Sequence, residues 1–132
     1  MDDRVRAFLD KNHTAVQTTL RRDGTPHVAM IGVGLVDGRL WSSATQTRVR
    51  TKHLRRDPRS SLCVFDTSNR QSWIGLDCRV TILDGPEAVD QNLALYRVLA
   101  GEPDDVDEYR QAMVREQRII FEFEVLKAYG QY

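Results

Sequence analysis

Several runs of the chain are rich in β-branched residues or alternate between hydrophobic and polar residues, as is typical of β-strands. Asp23-Gly24 separates the first two such runs and Asp37-Gly38 separates the second from the third, and an Asp-Gly pair between two runs favours a tight hairpin. The first three strands are therefore expected to form an antiparallel meander. In all, the pattern predicts six strands, over residues 14–20, 27–36, 39–43, 60–66, 72–83 and 118–128.

Four segments change to the spacing of an amphipathic helix. The first covers residues 2–12, a second lies within residues 45–56, and two more follow the break at Asp84-Gly85-Pro86 and end near residue 117. Six antiparallel strands with short connections favour a barrel whose ends are covered by helices. The sequence therefore predicts a mainly β protein with α, a small six-stranded antiparallel barrel that occupies residues 1–132 as a single domain.

Two glycines interrupt the second predicted strand. Gly32 and Gly34 would weaken a strand in isolation, so we expect them to allow a close approach of backbone or ligand, or to mark a bulge.

Composition and charge exclude several classes of protein. The 132 residues contain 19 Lys and Arg and 19 Asp and Glu, and a net charge of zero argues against a generic nucleic-acid binder. The longest apolar run, residues 28–36, is too short to span a membrane, and the charged N-terminal segment does not resemble a signal peptide. We expect a cytoplasmic protein with reduced thiols, and Cys63 and Cys78 lie in apolar runs where cysteine is usually a core residue.

One segment departs from this neutral average. Residues 48–59 hold six cationic residues and one anionic residue, Asp57. Thr45 or Thr47 could cap a short helix here, and Asp57-Pro58 would end it. Helix N-termini with Arg and Lys side chains bind phosphate, so the segment predicts a site for a phosphate-bearing ligand. A solvated helix face and a nucleic-acid surface remain the alternatives.

The other chemistry-bearing residues carry weaker signals. Trp73 lies on a predicted strand, where tryptophan is more often a core residue than a stacking partner for a cofactor. His27 and Met30 lie on the strand with the two glycines and could face the same ligand. No metal motif, catalytic triad or dinucleotide-binding loop is present.

Three stretches resemble a known family. The hairpin over residues 19–28 looks like the opening of the pyridoxamine 5′-phosphate oxidase-like split barrels, and residues 47–59 look like the phosphate-binding segment of that family. Residues 94–102 and 109–114 are similar to one branch, the actinobacterial flavin/deazaflavin oxidoreductases that use coenzyme F420.

This resemblance implies an FMN-binding split barrel and a homodimer with the cofactor in a groove at the subunit interface. Pro26, His27, Met30 and Ser43 would then lie beside the ring of the cofactor, and Trp73 would help to form the wall of the pocket. The residues that would hold the phosphate are Arg48, Arg50, Thr51 and Lys52.

The implied function is an F420H2-dependent reductase that transfers hydride to an electron-poor conjugated small molecule. Six cations exceed what the single phosphate of FMN needs, which favours F420 with its anionic tail. The chain ends at Tyr132 without the C-terminal extension of true pyridoxamine phosphate oxidases, so we do not expect that activity. An FMN flavoprotein and a non-catalytic F420-binding protein remain alternatives, with a haem-handling barrel that uses His13, His27 or His53 as a weaker one.

Overall fold

The computed structural model describes Met1–Tyr132 and contains seven strands and four helices. The helices are α1 (Asp3–Lys11), α2 (Val49–Arg56), α3 (Ala88–Ala100) and α4 (Val106–Arg115). The strands are β1 (Thr14–Leu20), β2 (Pro26–Gly32), β3 (Gly34–Val36), β4 (Arg39–Thr45), β5 (Arg59–Asp66), β6 (Asn69–Leu83) and β7 (Arg118–Gln131). The predicted fold class, mainly β with flanking helices, is confirmed.

All seven strands belong to one antiparallel sheet in the order β2-β1-β5-β6-β7-β4-β3. β2 and β3 lie at opposite edges of this sheet, yet only Val33 separates them in the chain. The sheet must therefore curl until its two edges meet, which produces the barrel.

The predicted count of six strands is wrong by one, because the run over residues 27–36 forms two strands. At the junction, the N–H of Val33 donates to the carbonyl of His13, at 2.9 Å, and so leaves the ladder. The first half of the run pairs with β1 and the second half with β4, so the two expected hairpins are present.

Gly34 allows a helix to lie close to the strand. A Cβ atom at this position would lie 3.1–3.3 Å from the side chains of Val98, Leu99 and Leu95 on α3. The group that approaches Gly34 is thus a set of helix side chains, and not the backbone or ligand that the sequence suggested.

Side chains from the inner faces of the strands fill the barrel. The innermost include Leu62, Val64, Ile74, Leu76 and Phe121, each at most 2% exposed. A smaller cluster of Trp41, Leu95 and Ile120 lies on the other face of the sheet, under α3. β4 is thus buried on both faces, which explains why its alternation is weak in the sequence.

The helix boundaries in the structure agree closely with those predicted from the sequence, except at the start of α2. Thr45 and Thr47 do not cap this helix: the N-cap is Arg48, and no side chain caps it. Thr45 is still paired with Arg118 at the end of β4, and its hydroxyl lies 3.4 Å from the Thr47 hydroxyl. The helix ends before Asp57 as expected.

The two cysteines have different environments, and both are free thiols. Cys78 is buried, which raises the pKa of its thiol to about 12. Cys63 is exposed, so its predicted core position is wrong: its neighbours Leu62 and Val64 point inward and the alternation of β5 turns Cys63 outward. None of the four helices is long and apolar enough to cross a membrane.

Candidate functional site

Helix α2 lies across the end of the barrel where β1 and β4 finish and β5 and β7 begin. Two buried side chains fix it there. Leu54 joins the core, and the Thr51 hydroxyl donates to the Thr45 carbonyl at 2.7 Å. Since Thr51 is fully buried and its N–H donates to the Arg48 carbonyl, this residue ties the first turn of α2 to β4.

Three of the six cations in this segment are held by the protein itself. Arg55 pairs with Asp84 at 3.0 Å and Arg59 pairs with Asp57 at 2.8 Å, while Arg56 donates to the Leu20 carbonyl at 2.5 Å. The remaining three, Arg48, Arg50 and Lys52, form no salt bridge. These are the three basic residues that the sequence singles out for a phosphate.

The residues predicted to bind phosphate do not line one common cleft. Arg48 lines one cleft and Lys52 lines another, Val49 lines both, and Arg50 and Thr51 line neither. We call the cleft that Arg48 lines the β7-side cleft, and its volume is about 540 Å³. Its lining residues are Thr45, Thr47, Arg48, Val49, Glu116 and Arg118.

The second is the hairpin-side cleft, next to the turn between β1 and β2. Its volume is about 770 Å³. Five cations and a single carboxylate line it, together with Val49 and a histidine: Arg21, Arg22, Asp23, Val49, Lys52, His53, Arg55 and Arg56. Arg21 and Arg22 are absent from the sequence-based site because they precede α2 by more than twenty residues and meet it only in the folded barrel.

Arg50 has the least satisfied environment of the three free cations. Its guanidinium carbon lies 6.0 Å from the centre of the buried Phe121 ring, and its Nε atom is buried without a hydrogen-bond partner. Burial is the largest cause that lowers the pKa of Arg50, and the nearby Arg48 and Arg118 lower it further. A buried donor without a partner is costly, and a bound anion would supply the missing acceptor. The residues present therefore fit an anionic group.

A pair of histidines lies between α2 and β2: His53 belongs to the helix and His27 to the strand. The rings of His27 and His53 are 5.3 Å apart and nearly perpendicular, and Nδ1 of His53 lies 2.9 Å from the Thr19 hydroxyl. His53 is buried, and this burial, followed by His27, Arg56 and Arg21, lowers its pKa. Nδ1 of His27 is also buried and has no partner. His53 is buried beside Leu54, whose side chain joins the core, a placement that the charged sequence around it obscures.

The residues predicted to lie beside a cofactor ring are spread over several surfaces. Pro26 and Met30 point outward from β2, and Met30 is 67% exposed. Ser43 lies on the face of β4 that α3 covers, and its hydroxyl donates to the side-chain oxygen of Asn92.

Trp73 lies towards the other end of the barrel from α2. It pairs with Phe65 and Gln131, and it is five residues along β6 from Cys78, which pairs with Ser60 near α2. At about 3.3 Å per strand residue this separation is about 17 Å. Within one chain, Trp73 is therefore not brought together with the basic helix.

The outer face of β2, β1, β5, β6 and β7 carries a continuous row of side chains, which we call the outer row. The pairings place Met30, Val16, Cys63, Gly75 and Tyr129 next to each other across these five strands. The Tyr129 ring lies over Gly75, where a Cβ atom would be only 2.3 Å from the ring.

A curled antiparallel barrel with a cationic helix across one end defines a split-barrel protein with basic clefts beside that helix. The chain matches the family model described as "Pyridoxamine 5′-phosphate oxidase" over residues 1–132, and it therefore belongs to that family. The family membership expected from the resemblance is thus confirmed.

Individual relatives agree with this assignment. The chain is 25% identical over 130 residues to an F420H2-dependent biliverdin reductase of Mycobacterium tuberculosis, with 98% of this chain and 88% of that protein covered. Its fold is similar to the crystal structure of a conserved hypothetical protein of Mycobacterium tuberculosis, with a TM-score of 0.81, 20% identity and coverage of 97% and 82%. It is also similar to a structure named F420 reductase, with a TM-score of 0.76, 19% identity and coverage of 96% of both chains.

Proposed function

We propose that the protein is an F420H2-dependent reductase that transfers hydride to an electron-poor conjugated small molecule. The observation that carries this proposal is the set of unpaired cations at the start of α2, including a buried guanidinium nitrogen that lacks an acceptor. The F420H2-dependent biliverdin reductase to which the chain is similar supports the choice of cofactor.

The phosphate of the cofactor binds at the first turn of α2. The N–H groups of Thr51 and Lys52 already donate to the Arg48 carbonyl, which leaves those of Val49 and Arg50 for an anion, and the helix dipole favours an anion at this end. Arg48, Arg50 and Lys52 supply the charge. Thr51 contributes by holding this turn against β4, since its hydroxyl is already used in the bond to Thr45.

The hairpin-side cleft favours F420 over FMN. F420 continues beyond its phosphate into a tail with several carboxylates, whereas FMN ends in one phosphate. Lys52, Arg21 and Arg22 line a cleft in which cations outnumber the single carboxylate of Asp23. A tail of carboxylates would be attracted to this surface, and FMN would leave it unoccupied.

The main role of the protein is to position the cofactor and the acceptor, because the cofactor itself supplies the reacting hydride. When bound, the reduced deazaflavin supplies the hydride from its C5 atom. Pro26 and Met30 present their side chains outward on β2, where they can contact one edge of the ring, and His27 fixes the strand from inside. Orientation of two reactants and partial exclusion of water are the main ways in which such a site lowers a barrier.

We further propose a homodimer with the cofactor at its interface. The outer row and the adjacent Val28 leave apolar side chains exposed, with Val28 at 62%, Met30 at 67% and Tyr129 at 43%. Apolar patches of this kind on soluble proteins are typical of interaction sites. A second copy would cover the patch and could bring its own Trp73 towards the cofactor, which one chain alone does not.

A paired titration with F420 and FMN tests the choice of cofactor. Quenching of the Trp41 and Trp73 fluorescence reports binding, and we expect tight binding of F420 and weak binding of FMN. The reverse order would identify an FMN flavoprotein, the first alternative. Tight F420 binding without turnover of any conjugated acceptor, in an assay that follows F420H2 oxidation, would identify a binding protein, the second alternative.

A double variant tests the phosphate assignment. Arg48→Ala/Lys52→Ala should raise the F420 dissociation constant at least about tenfold, because it removes two charge-assisted contacts. The control Lys11→Ala/Arg115→Ala removes the same charge from exposed positions outside both clefts. An affinity within a few-fold of the unaltered protein would show that the phosphate assignment is wrong.

A further inference from the structure

His53 is the one imidazole in the lining of the hairpin-side cleft. It is only 8% exposed, whereas the lysine and arginine side chains that line the same cleft are exposed. The Thr19 hydroxyl lies 2.9 Å from its Nδ1 atom, and no hydrogen bond within the chain uses its Nε2 atom. Nε2 is therefore the ring nitrogen that is left for a ligand in the cleft.

The charged and titratable groups around His53 come from α2, from the turn between β1 and β2, and from β2, and nearly all of them are basic. The two carboxylates in contact with this surface are already engaged: Asp84, after β6, pairs with Arg55, and Asp23 accepts from the N–H and the hydroxyl of Thr25. No carboxylate pairs with His53. The groups are Lys52, Arg55 and Arg56 on α2, Arg21, Arg22 and Asp23 at the turn, and His27 on β2.

These surroundings disfavour a proton on His53 unless an anion is bound. Burial is the largest cause that lowers the pKa of His53, and the charges of His27, Arg56 and Arg21 lower it further. An anion in the cleft would offset the neighbouring cations and give Nε2–H an acceptor. Anion binding and proton uptake should therefore favour each other.

His27 limits this uptake to one proton. The two rings are 5.3 Å apart, and two imidazolium groups at that distance repel each other. Nδ1 of His27 is buried without a partner, and His27 does not line the cleft. His53 is thus the member of the pair that a ligand in the cleft can reach.

We propose that His53 belongs to the anion-binding surface of the hairpin-side cleft, and that an anion with several carboxylates binds there together with one proton, which His53 takes up. The class of anion rests on the proposed function, because the tail of F420 carries several carboxylates. The coupling to a proton rests on the place of His53 in the cleft. Since such coupling is reciprocal, the affinity for the anion rises as the pH falls, and the anion raises the pH at which His53 titrates.

An N-acetylated triglutamate peptide is the probe for the first experiment, at constant ionic strength. Its carboxylates are largely ionised above about pH 5.5, so they do not titrate together with imidazole. NMR signals of the histidine rings are followed with pH, with and without saturating peptide. The His53 signal should titrate at a higher pH when the peptide is bound, whereas the signal of His13, which lies 3.0 Å from the Val33 carbonyl and outside the cleft, should not change.

The affinity for the peptide provides the second measurement. It should be at least about fivefold higher at about pH 5.5 than at about pH 7.5 in the unaltered protein. His53→Gln keeps a polar side chain without a titrating group and should reduce this ratio to less than about twofold. The matched control His13→Gln removes a histidine outside the cleft and should keep the full ratio. The NMR titration of the unaltered protein needs no variant, so the test stands even if His53→Gln does not fold.

Three results would overturn the coupling: no binding of the peptide at either pH, a His53 signal that titrates at the same pH with and without peptide, or an affinity ratio that persists in His53→Gln. The unaltered protein and both variants are then titrated with F420 at the same two pH values. Peptide binding of the expected pattern without any F420 binding supports the coupling and refutes the proposed cofactor. F420 binding whose pH dependence is the same in the unaltered protein and in His53→Gln refutes the coupling alone.

Discussion

Arg50 and His53 lie one turn apart on α2, and both are basic groups that the fold withdraws from water. Each has its pKa lowered, with burial as the largest cause. For Arg50 the guanidinium remains charged at any ordinary pH, so the cost of burial is expressed as an unsatisfied donor that can bind an anion. For His53 burial disfavours the protonated imidazole, and because imidazole titrates within the accessible pH range, this effect depends on pH.

His53 should make the stability of the protein depend on pH. Its folded-state pKa lies below the ordinary 6.5, so the unfolded chain takes up the proton first as the pH falls. The contribution of the neutral side chain to stability is fully present above about pH 6.5 and is lost as the pH falls below that value. Denaturant unfolding at about pH 7.5 and about pH 5.5 should therefore show a larger loss of stability in the unaltered protein than in His53→Gln.

The comparison variant is His13→Gln, which removes a histidine whose Nδ1 lies 3.0 Å from the Val33 carbonyl. It should lower stability at both pH values without removing the difference between them. The same pH dependence in the unaltered protein and in His53→Gln would contradict the assignment.

At the level of elements, α2 depends on β4 for its position. The bond from the Thr51 hydroxyl to the Thr45 carbonyl is the side-chain contact that joins the first turn of the helix to the strand. No side chain caps α2, and this contact does not replace a cap, because the Thr51 hydroxyl donates to a carbonyl and satisfies no N–H group of the first turn.

Thr51→Val keeps the shape of this fully buried side chain and removes its donor. We expect a loss of about 1–3 kcal/mol of unfolding free energy, because the Thr45 carbonyl loses a partner in a buried place. Thr51→Ser keeps the hydroxyl and should lose clearly less. Equal losses in the two variants, measured by denaturant titration, would show that packing of the methyl group and not the hydrogen bond holds the helix.

The elements that the sequence predicts well are those with a local signal. The two Asp-Gly turns, the end of α2 before Asp57, and the basic content of that helix follow from neighbouring residues. The start of α2 does not, because Thr45 has the right type for a cap but is held in β4 by its pairing with Arg118. The division at Val33 also depends on a distant acceptor, the His13 carbonyl.

The candidate site, whose residues remain a prediction, shows the same division between local and long-range signals. Arg48, Arg50 and Lys52 lie within five consecutive residues, and their charge stands out in a chain of zero net charge. Arg118 and Arg21 reach the helix only through strand pairing and the curl of the sheet, so no short window of sequence contains them together with α2.

At the level of the whole molecule, the barrel has one face on which large apolar side chains remain exposed. The outer row runs across five strands, and its Met30 end is among the most exposed apolar positions of the protein. A charge there would oppose burial against a second copy far more than it would disturb the isolated chain.

Met30→Glu should therefore convert a dimer into a monomer, as measured by sedimentation velocity, with little loss of secondary structure. Val114→Glu on α4 is the matched control, since Val114 is 66% exposed and lies away from the outer row. A Met30→Glu protein that still sediments as a dimer would place the interface elsewhere.

The late position of β7 in the chain has a consequence for folding. β7 pairs with β6 on one side and with β4 on the other, and residues such as Leu40 and Phe123 meet across most of the length of the chain. Until residues 118–131 leave the ribosome, β4 and β6 remain open edges that can pair with strands of other chains. Long-range pairing of this kind slows folding. The nascent protein therefore exposes its aggregation-prone edges until its last strand is made, and a chaperone that shields those two strands during synthesis should raise its yield more than one that acts after release.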